Sequence, residues 1–335
     1  MTNRSLPGRM MVARNQSLKD AYEQAEFQNW LPIEINQIST GHYCGHIRML
    51  EHDELGVCWE SQNRTIHKRS VMDHASCTVS FFRNKQFQNG FSEYTPADNS
   101  LFFLPAGSEV DIYVAANVET VYFRFNQSVL LHKARAMDPS RWGDPPASLV
   151  CLELGNLKSL DKFVERIFHQ SRLNNQPGSD QPGSDGNNEV LSDMIMEHIL
   201  AALNSSRLVS TEKSSTLIAR RRAKHIVNHV IDYIKAQLEQ HVCPSISAIC
   251  TDLQLSERTL QYSFGAILGV SPYTYLRYMR LNGVRLALMQ PHSEHLTITR
   301  VANHWHFLHM GRFSKDYQQM FDELPSATLR RTLQV

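Results

Sequence analysis

Ser256–Phe264, SERTLQYSF, together with its lead-in Ile246–Leu255, ISAICTDLQL, is the stretch that decides how this chain folds. Ile246, Ile249, Cys250 and Leu253 place small or apolar side chains on one face of a short helix. Gln254-Leu255 makes a turn. Ser256 then caps a second helix, because its hydroxyl accepts from an otherwise unpaired N–H of the first turn. Leu260 and Phe264, four apart, pin that helix to a core. Glu257, Arg258, Gln261 and Tyr262 are left facing outward. The pattern is a helix-turn-helix, and an exposed helix start carrying Arg and Gln suits a DNA major groove, where Arg pairs with guanine and Gln with adenine. The same pattern also describes an ordinary helical hairpin.

A second copy separates the two readings. Ile298, Val301, Ala302 and Trp305 repeat the first-helix spacing, and His306-Phe307 stands at the turn. Leu308–Tyr317, LHMGRFSKDY, then repeats the outward helix, with Phe313 and Tyr317 spaced like Leu260 and Phe264. Aligning Phe313 with Leu260 matches Arg312 to Thr259 and Lys315 to Tyr262. Between the copies a helix starts at Ser271-Pro272, a cap followed by the proline favoured at the first helical position. Its Leu281, Val284 and Leu288 recur at steps of three and four, so one face is buried. Two such units on one rigid helix fit successive major grooves, roughly 34 Å apart on one side of a duplex. The expected DNA-contacting set is Ser256, Glu257, Arg258, Gln261 and Tyr262 in the first unit, with His309, Met310, Arg312 and Lys315 in the second.

From about Arg221 to Arg331 this arrangement resembles the DNA-binding domain of the AraC/XylS family of transcription regulators. The residues that carry the resemblance are Arg280-Leu281, Ile298-x-x-Val301-Ala302, Phe307, Phe313 and the tail Phe321-x-x-x-Pro325-Ser326. His306 departs from the pattern, standing where the family usually has glycine; glycine tolerates positive φ there, and histidine reaches that region at some cost. Ser39–Arg48, STGHYCGHIR, and the run HMGRFSKDYQQMF are similar to a subgroup that includes the ethanolamine-utilisation regulator. The resemblance implies an N-terminal cupin-like β-barrel that senses a small molecule, activation more often than repression, contact with RNA polymerase, and a possible homodimer.

The remainder of the sequence fits two parts. A length of 335 residues exceeds a typical single core. Net charge is only +1, but from Ala219 onward 14 Lys and Arg face 8 Asp and Glu, about +6; by subtraction the rest has 20 against 25, about −5. A basic C-terminal part fits an electrostatic footprint for nucleic acid. Arg220-Arg221-Arg222 and Lys224 lie at its edge, a basic run that reads either as a solvated face or as a phosphate contact. From Ile33 to Phe125 short runs rich in β-branched and aromatic residues alternate with turn residues; Ser100–Leu104 and Thr120–Phe125 are examples. These read as the strands of a sandwich or barrel. Residues 16–30 read as a short helix. Leu157–Leu173 and Glu189–Leu203 read as amphipathic helices, lined by Leu160, Phe163 and Ile167 and by Met194, Ile195, Ile199 and Leu203. The tandem QPGSD repeat, Gln176–Asp185, reads as a flexible loop.

The expected class is therefore α+β. Residues 1–155 form the β-rich sensor, 156–204 a helical pair suited to packing or dimerisation, 205–218 a linker, and 219–335 the double helix-turn-helix domain.

Function classes narrow accordingly. The N-terminal segment holds three arginines and no signal-like apolar run, and no apolar patch is long enough to span a bilayer. The six scattered cysteines read as cytosolic thiols, without a CxxC pair. His42, Cys44 and His46 alternate as on one strand face, but same-face neighbours rarely converge on one ion, and no metal or other cofactor is expected. No nucleophile elbow, Walker loop or HExxH motif is present, so no catalytic residues are expected. The rival reading is a cupin-type metal-dependent enzyme with a helical dimerisation tail; it requires three convergent ligands in the barrel and leaves the repeated unit unexplained.

Overall fold

The computed structural model describes residues 11–53, 55–83, 91–94, 96–174, 185–209, 215–290 and 297–332. The N-terminal part runs β1 (Val12–Leu18), α1 (Ala21–Phe27), β2 (Glu34–Gln37), β3 (Gly45–His52), β4 (Leu55–Gln62), β5 (Ile66–Val71), β6 (Ser76–Phe82), β7 (Ser100–Leu104), β8 (Glu109–Val114) and β9 (Val118–Asn126). It continues through α2 (Gln127–Met137), α3 (Pro139–Trp142), β10 (Val150–Glu153), α4 (Leu157–Asn174), α5 (Asp185–Ser205) and β11 (Arg207–Leu208). The C-terminal part is all helix: α6 (Ser215–Glu239), α7 (Ile246–Asp252), α8 (Glu257–Leu268), α9 (Pro272–Met289), α10 (Ile298–His304), α11 (Met310–Phe321) and α12 (Pro325–Thr332). No helix among the described residues is long and apolar enough to cross a membrane.

The strands form two sheets, not the closed barrel expected of a cupin-like fold. One has eight strands in the order β1-β3-β4-β9-β6-β7-β10-β11; the other is β2-β5-β8. All their pairings are antiparallel. The large sheet is covered on both faces, which explains why its central strands are apolar almost without alternation. Cys77, Val79, Phe81, Leu101, Phe103, Val121, Phe123 and Phe125 share a core with α2, α4 and α5. The intervening Phe82, Phe102 and Val118 point the other way, toward the small sheet. Leu160, Phe163 and Ile167 of α4 and Ile195, Ile199 and Leu203 of α5 are buried there, so these faces of the helical pair pack on the sheet.

Several expectations need correction. Val12–Leu18 is an edge strand paired with β3, so the helix expected from residue 16 begins only at Ala21, capped by Asp20. Met194 is exposed, not part of the packed face. Arg207-Leu208, inside the expected linker, pairs with β10, and Ser215 already begins α6. His42 and Cys44 precede β3, so they do not share a strand face with His46. The QPGSD repeat lies outside the described residues except for Asp185, where α5 starts.

Candidate nucleic-acid interface

The two helical units share the same hydrogen bonding at their corners. In the first, Leu255 N donates to Cys250 O at 2.9 Å; in the second, Phe307 N donates to Ala302 O at 2.9 Å. The residue before each donor is left-handed, with Gln254 at φ 52° and His306 at φ 63°. Both corners therefore need the conformation that favours glycine, and neither has one. The expected cost at His306 is real, and Gln254 carries it too. Arg280 of α9 supports the second corner. It donates to Trp305 O at 2.8 Å and His306 O at 2.7 Å, and its guanidinium lies 4.2 Å from the centre of the Phe307 ring. Burial, and then the charge of Arg280, hold the His306 imidazole below its ordinary pKa.

After the corner the second unit has one more residue than the first. Leu308 fills it and is 76% exposed. From there the outer helices run in step, twelve residues each. Ser256 Oγ accepts from Thr259 N at 3.1 Å, as its cap role requires, whereas His309 at the matching position makes no side-chain cap bond. Leu260 and Phe264 in α8, and Phe313 and Tyr317 in α11, are all buried in the helical core.

Of the sequence-predicted contact residues, Ser256, Glu257, Arg258, Gln261, Tyr262, His309, Arg312 and Lys315 are exposed. Met310 is half-buried against the helical core and is the least available of the set. Arg258, Arg312 and Lys315 form no ion pair with another described residue, so their charges remain free for an external partner.

Other basic residues are not free. Lys224 donates to Ser92 Oγ and lies 3.1 Å from Glu93 Oε2, and Arg220 donates to the carbonyls of Glu93, Ser92 and Ala266. The basic run is thus largely used to dock the two parts of the chain; Arg222 stays exposed. Burial raises the Glu93 carboxyl, but the charge of Lys224 and hydrogen bonds to it outweigh that and hold it below the usual range.

Between the two sheets lies a cavity of about 70 Å³. Its apolar walls include Trp30, Leu31, Phe91 and Ile112, and its polar groups include Glu60, Lys68, Thr120 and Tyr122. Lys68 on β5 donates to Glu60 on β4, and Glu60 also accepts from Gln24 at 3.0 Å and Gln28 at 2.6 Å. The Thr120 hydroxyl is buried with no hydrogen-bond partner among the described residues. A buried hydroxyl left unpaired is costly and marks a place where a polar group is missing. Neither the cavity nor the junction was legible in the sequence, because their members lie on strands and helices far apart in the chain. Among the described residues no group of three or more His, Cys, Asp or Glu side chains converges as metal ligands would.

Residues 249–331 match the profile of a helix-turn-helix domain family. The chain is 33% identical over 138 residues to the XylDLEGF operon transcriptional activator 2 of Pseudomonas putida, covering 40% of this chain and 88% of that protein. It is 26% identical over 239 residues to the XylDLEGF operon transcriptional activator of the same organism, covering 71% of this chain and 69% of the relative. Among solved structures it is similar to a probable AraC family transcriptional regulator from Rhodopseudomonas palustris, at 29% identity, 32% of this chain, 97% of that chain and a TM-score of 0.30.

Proposed function

We propose, for a chain that belongs to the AraC/XylS family and is a DNA-binding transcription regulator, that α8 and α11 read two unlike half-sites while a small molecule in the inter-sheet cavity sets its activity. The observation that carries the DNA reading is the repeated unit: two outer helices of equal length, each exposing its first turns, on one connecting helix. Exposed, unpaired Arg258 and Gln261 stand near the start of α8, and Arg312 and Lys315 near the start of α11. Those are the positions from which helix-turn-helix side chains reach base edges.

The sensor reading is supported by the cavity. Apolar walls with a few convergent polar groups are what small-molecule sites present. Lys68 has N–H donors beyond the one that Glu60 accepts, and Thr120 has an unused hydroxyl, so a compact, mostly apolar molecule carrying a hydrogen-bond acceptor fits best. Activation is the sign carried by the names of the relatives, and contact with RNA polymerase and self-association belong to the same reading.

The test begins with selection of bound duplexes from random DNA by the full-length protein. The expected product is a direct repeat of two unequal half-sites about one helical turn apart. Recovery of no common sequence would refute the DNA reading. A reporter carrying the recovered site is then screened against amines, alcohols and aromatic acids.

A further inference from the structure

The small sheet has two faces with different duties. Side chains alternate along a strand, so neighbours on β5 point to opposite sides. Lys68 points inward and ties β5 to Glu60 on β4, a strut across the cavity from one sheet to the other. His67 and Arg69, its neighbours, point outward to the DNA-binding helices. His67 Nδ1 lies 2.8 Å from the Tyr275 hydroxyl on α9, and its Nε2 donates to Asp111 on β8 at 2.9 Å. Arg69 donates to Asp232 on α6 at 2.8 Å. Further along the same outer face, Lys235 of α6 donates to Glu34 of β2, and Tyr113 of β8 packs into the helical core. Three strands thus form a septum, with the cavity on one side and α6 and α9 on the other.

The cavity is small. A volume of about 70 Å³ has room for only about two waters at roughly 30 Å³ each, so a larger guest has to move a wall. The eight-stranded sheet is backed by the continuous apolar core under α2, α4 and α5. The three-stranded sheet is backed mainly by polar contacts, each individually weak in net terms. The septum is thus the less firmly backed of the two walls.

We propose that β2-β5-β8 transmits occupancy of the cavity to the DNA-binding helices. A guest that takes a hydrogen bond from Lys68 loosens the Lys68–Glu60 strut and displaces β5. The outward bonds from His67 to Tyr275 and from Arg69 to Asp232 then rearrange. Tyr275 lies in the first turns of α9, the helix that sets α8 against α11, so the spacing of the two outer helices changes. This rests on the reading of the cavity as the effector site. Spatial intermediacy alone does not establish coupling; a thermodynamic cycle does.

The test uses the full-length protein and a duplex recovered by selection, with no effector required. Glu60→Gln with Lys68→Met replaces the buried pair by a neutral one and touches nothing in the C-terminal part. It is expected to change DNA affinity threefold or more. Tyr275→Phe, which keeps the ring and removes the hydroxyl, is expected to do the same. The combined variant should be no further from wild type than the larger of the two. Effects that multiply, or wild-type affinity for the neutral-pair variant, would overturn the proposal.

If the neutral-pair variant does not fold, Ile112→Trp presses on the septum from the cavity side. Amide exchange in the first two turns of α9 should then rise at least fivefold, while exchange in β9 stays as in wild type; unchanged exchange in α9 overturns the proposal. The same variant separates the two ideas. If it abolishes induction of the reporter while α9 stays unchanged, the cavity senses and the septum does not transmit. If α9 responds while induction survives, the septum transmits and the effector binds elsewhere.

Discussion

Arg285 on α9 donates to the carboxylate of Asp20, the cap of α1, across 265 positions of sequence, with both side chains only 6% exposed. Arg285 also donates to Glu323 at 2.7 Å, and its guanidinium lies 4.4 Å from the centre of the Phe321 ring. One cation therefore joins the first helix of the N-terminal part to the connecting helix and the end of the last unit. Gln37 reinforces the junction, donating to Met320 O at 3.1 Å, while its backbone carbonyl accepts from Asn282 at 2.8 Å.

Removing one member of a buried pair strands the other, so Arg285→Leu should cost about 3–5 kcal/mol. Urea unfolding of the full chain measures it. Asp20→Asn keeps the cap to Tyr22 N and should cost less. Equal losses for both variants would mean that the Asp20 charge carries the whole contribution of Arg285 and that Glu323 adds nothing.

Gly283 and Gly265 make a contrast. A Cβ at Gly283 would come within 2.2 Å of the Trp305 indole, whereas one at Gly265 meets nothing within 4 Å. Alanine in an exposed helix position usually adds about 0.5–1 kcal/mol over glycine. Gly265→Ala should show that gain. Gly283→Ala should instead lose about 1–3 kcal/mol through overpacking, seen as a lower thermal midpoint.

His306 sits in the left-handed region, which costs an L-residue roughly 1–2 kcal/mol. His306→Gly relieves this but adds backbone freedom to the unfolded chain. A net gain of about 0.5–1 kcal/mol is expected, with unchanged base preferences. Loss of stability would mean that the imidazole makes a contact worth more than the strain.

Three junction carboxyls bear on pH. Burial raises Glu34, Glu93 and Asp111, but hydrogen bonds and charges of Lys235, Lys224, His67 and Arg69 outweigh it, leaving all three below their ordinary values of 4.5, 4.5 and 3.8. Above those values their stabilisation is fully present. As pH falls through them toward the lower folded values, the unfolded chain takes up protons first and stability drops. The thermal midpoint should fall from about pH 4.5 downward, and less steeply in Glu93→Gln. A parallel fall in that variant would exclude Glu93 as a contributor.

Arg258→Ala and Arg312→Ala should each relax specificity in one half-site, because a bidentate base contact is worth about 1–3 kcal/mol of discrimination. Binding is profiled against every single-base variant of the selected duplex. Uniform loss of affinity with unchanged preferences would make these side chains phosphate contacts. Because Arg312 matches Thr259 and Lys315 matches Tyr262, the operator should be a direct repeat with unequal halves.

The sequence by itself determined the features whose physics is local. Helix caps at Ser256 and Ser271, and the buried pairs Leu260–Phe264 and Phe313–Tyr317, act within one or two turns, so their spacing is written in consecutive residues. Apolar runs such as Ser100–Leu104 were legible as strands for the same reason, although not that both of their faces are covered. Only the tertiary structure decided which charges meet which partners. A lysine that pairs with Glu93 and an arginine free for phosphate have the same local signature, so nothing in the sequence marked Arg220 and Lys224 as partners of Ser92 and Glu93. The two faces of β5 were equally silent. Alternation placed Lys68 opposite His67 and Arg69, but which side became a cavity and which a docking surface depended on chain segments up to 208 residues away, as between His67 and Tyr275. No periodicity within a strand carries information about contacts at that separation.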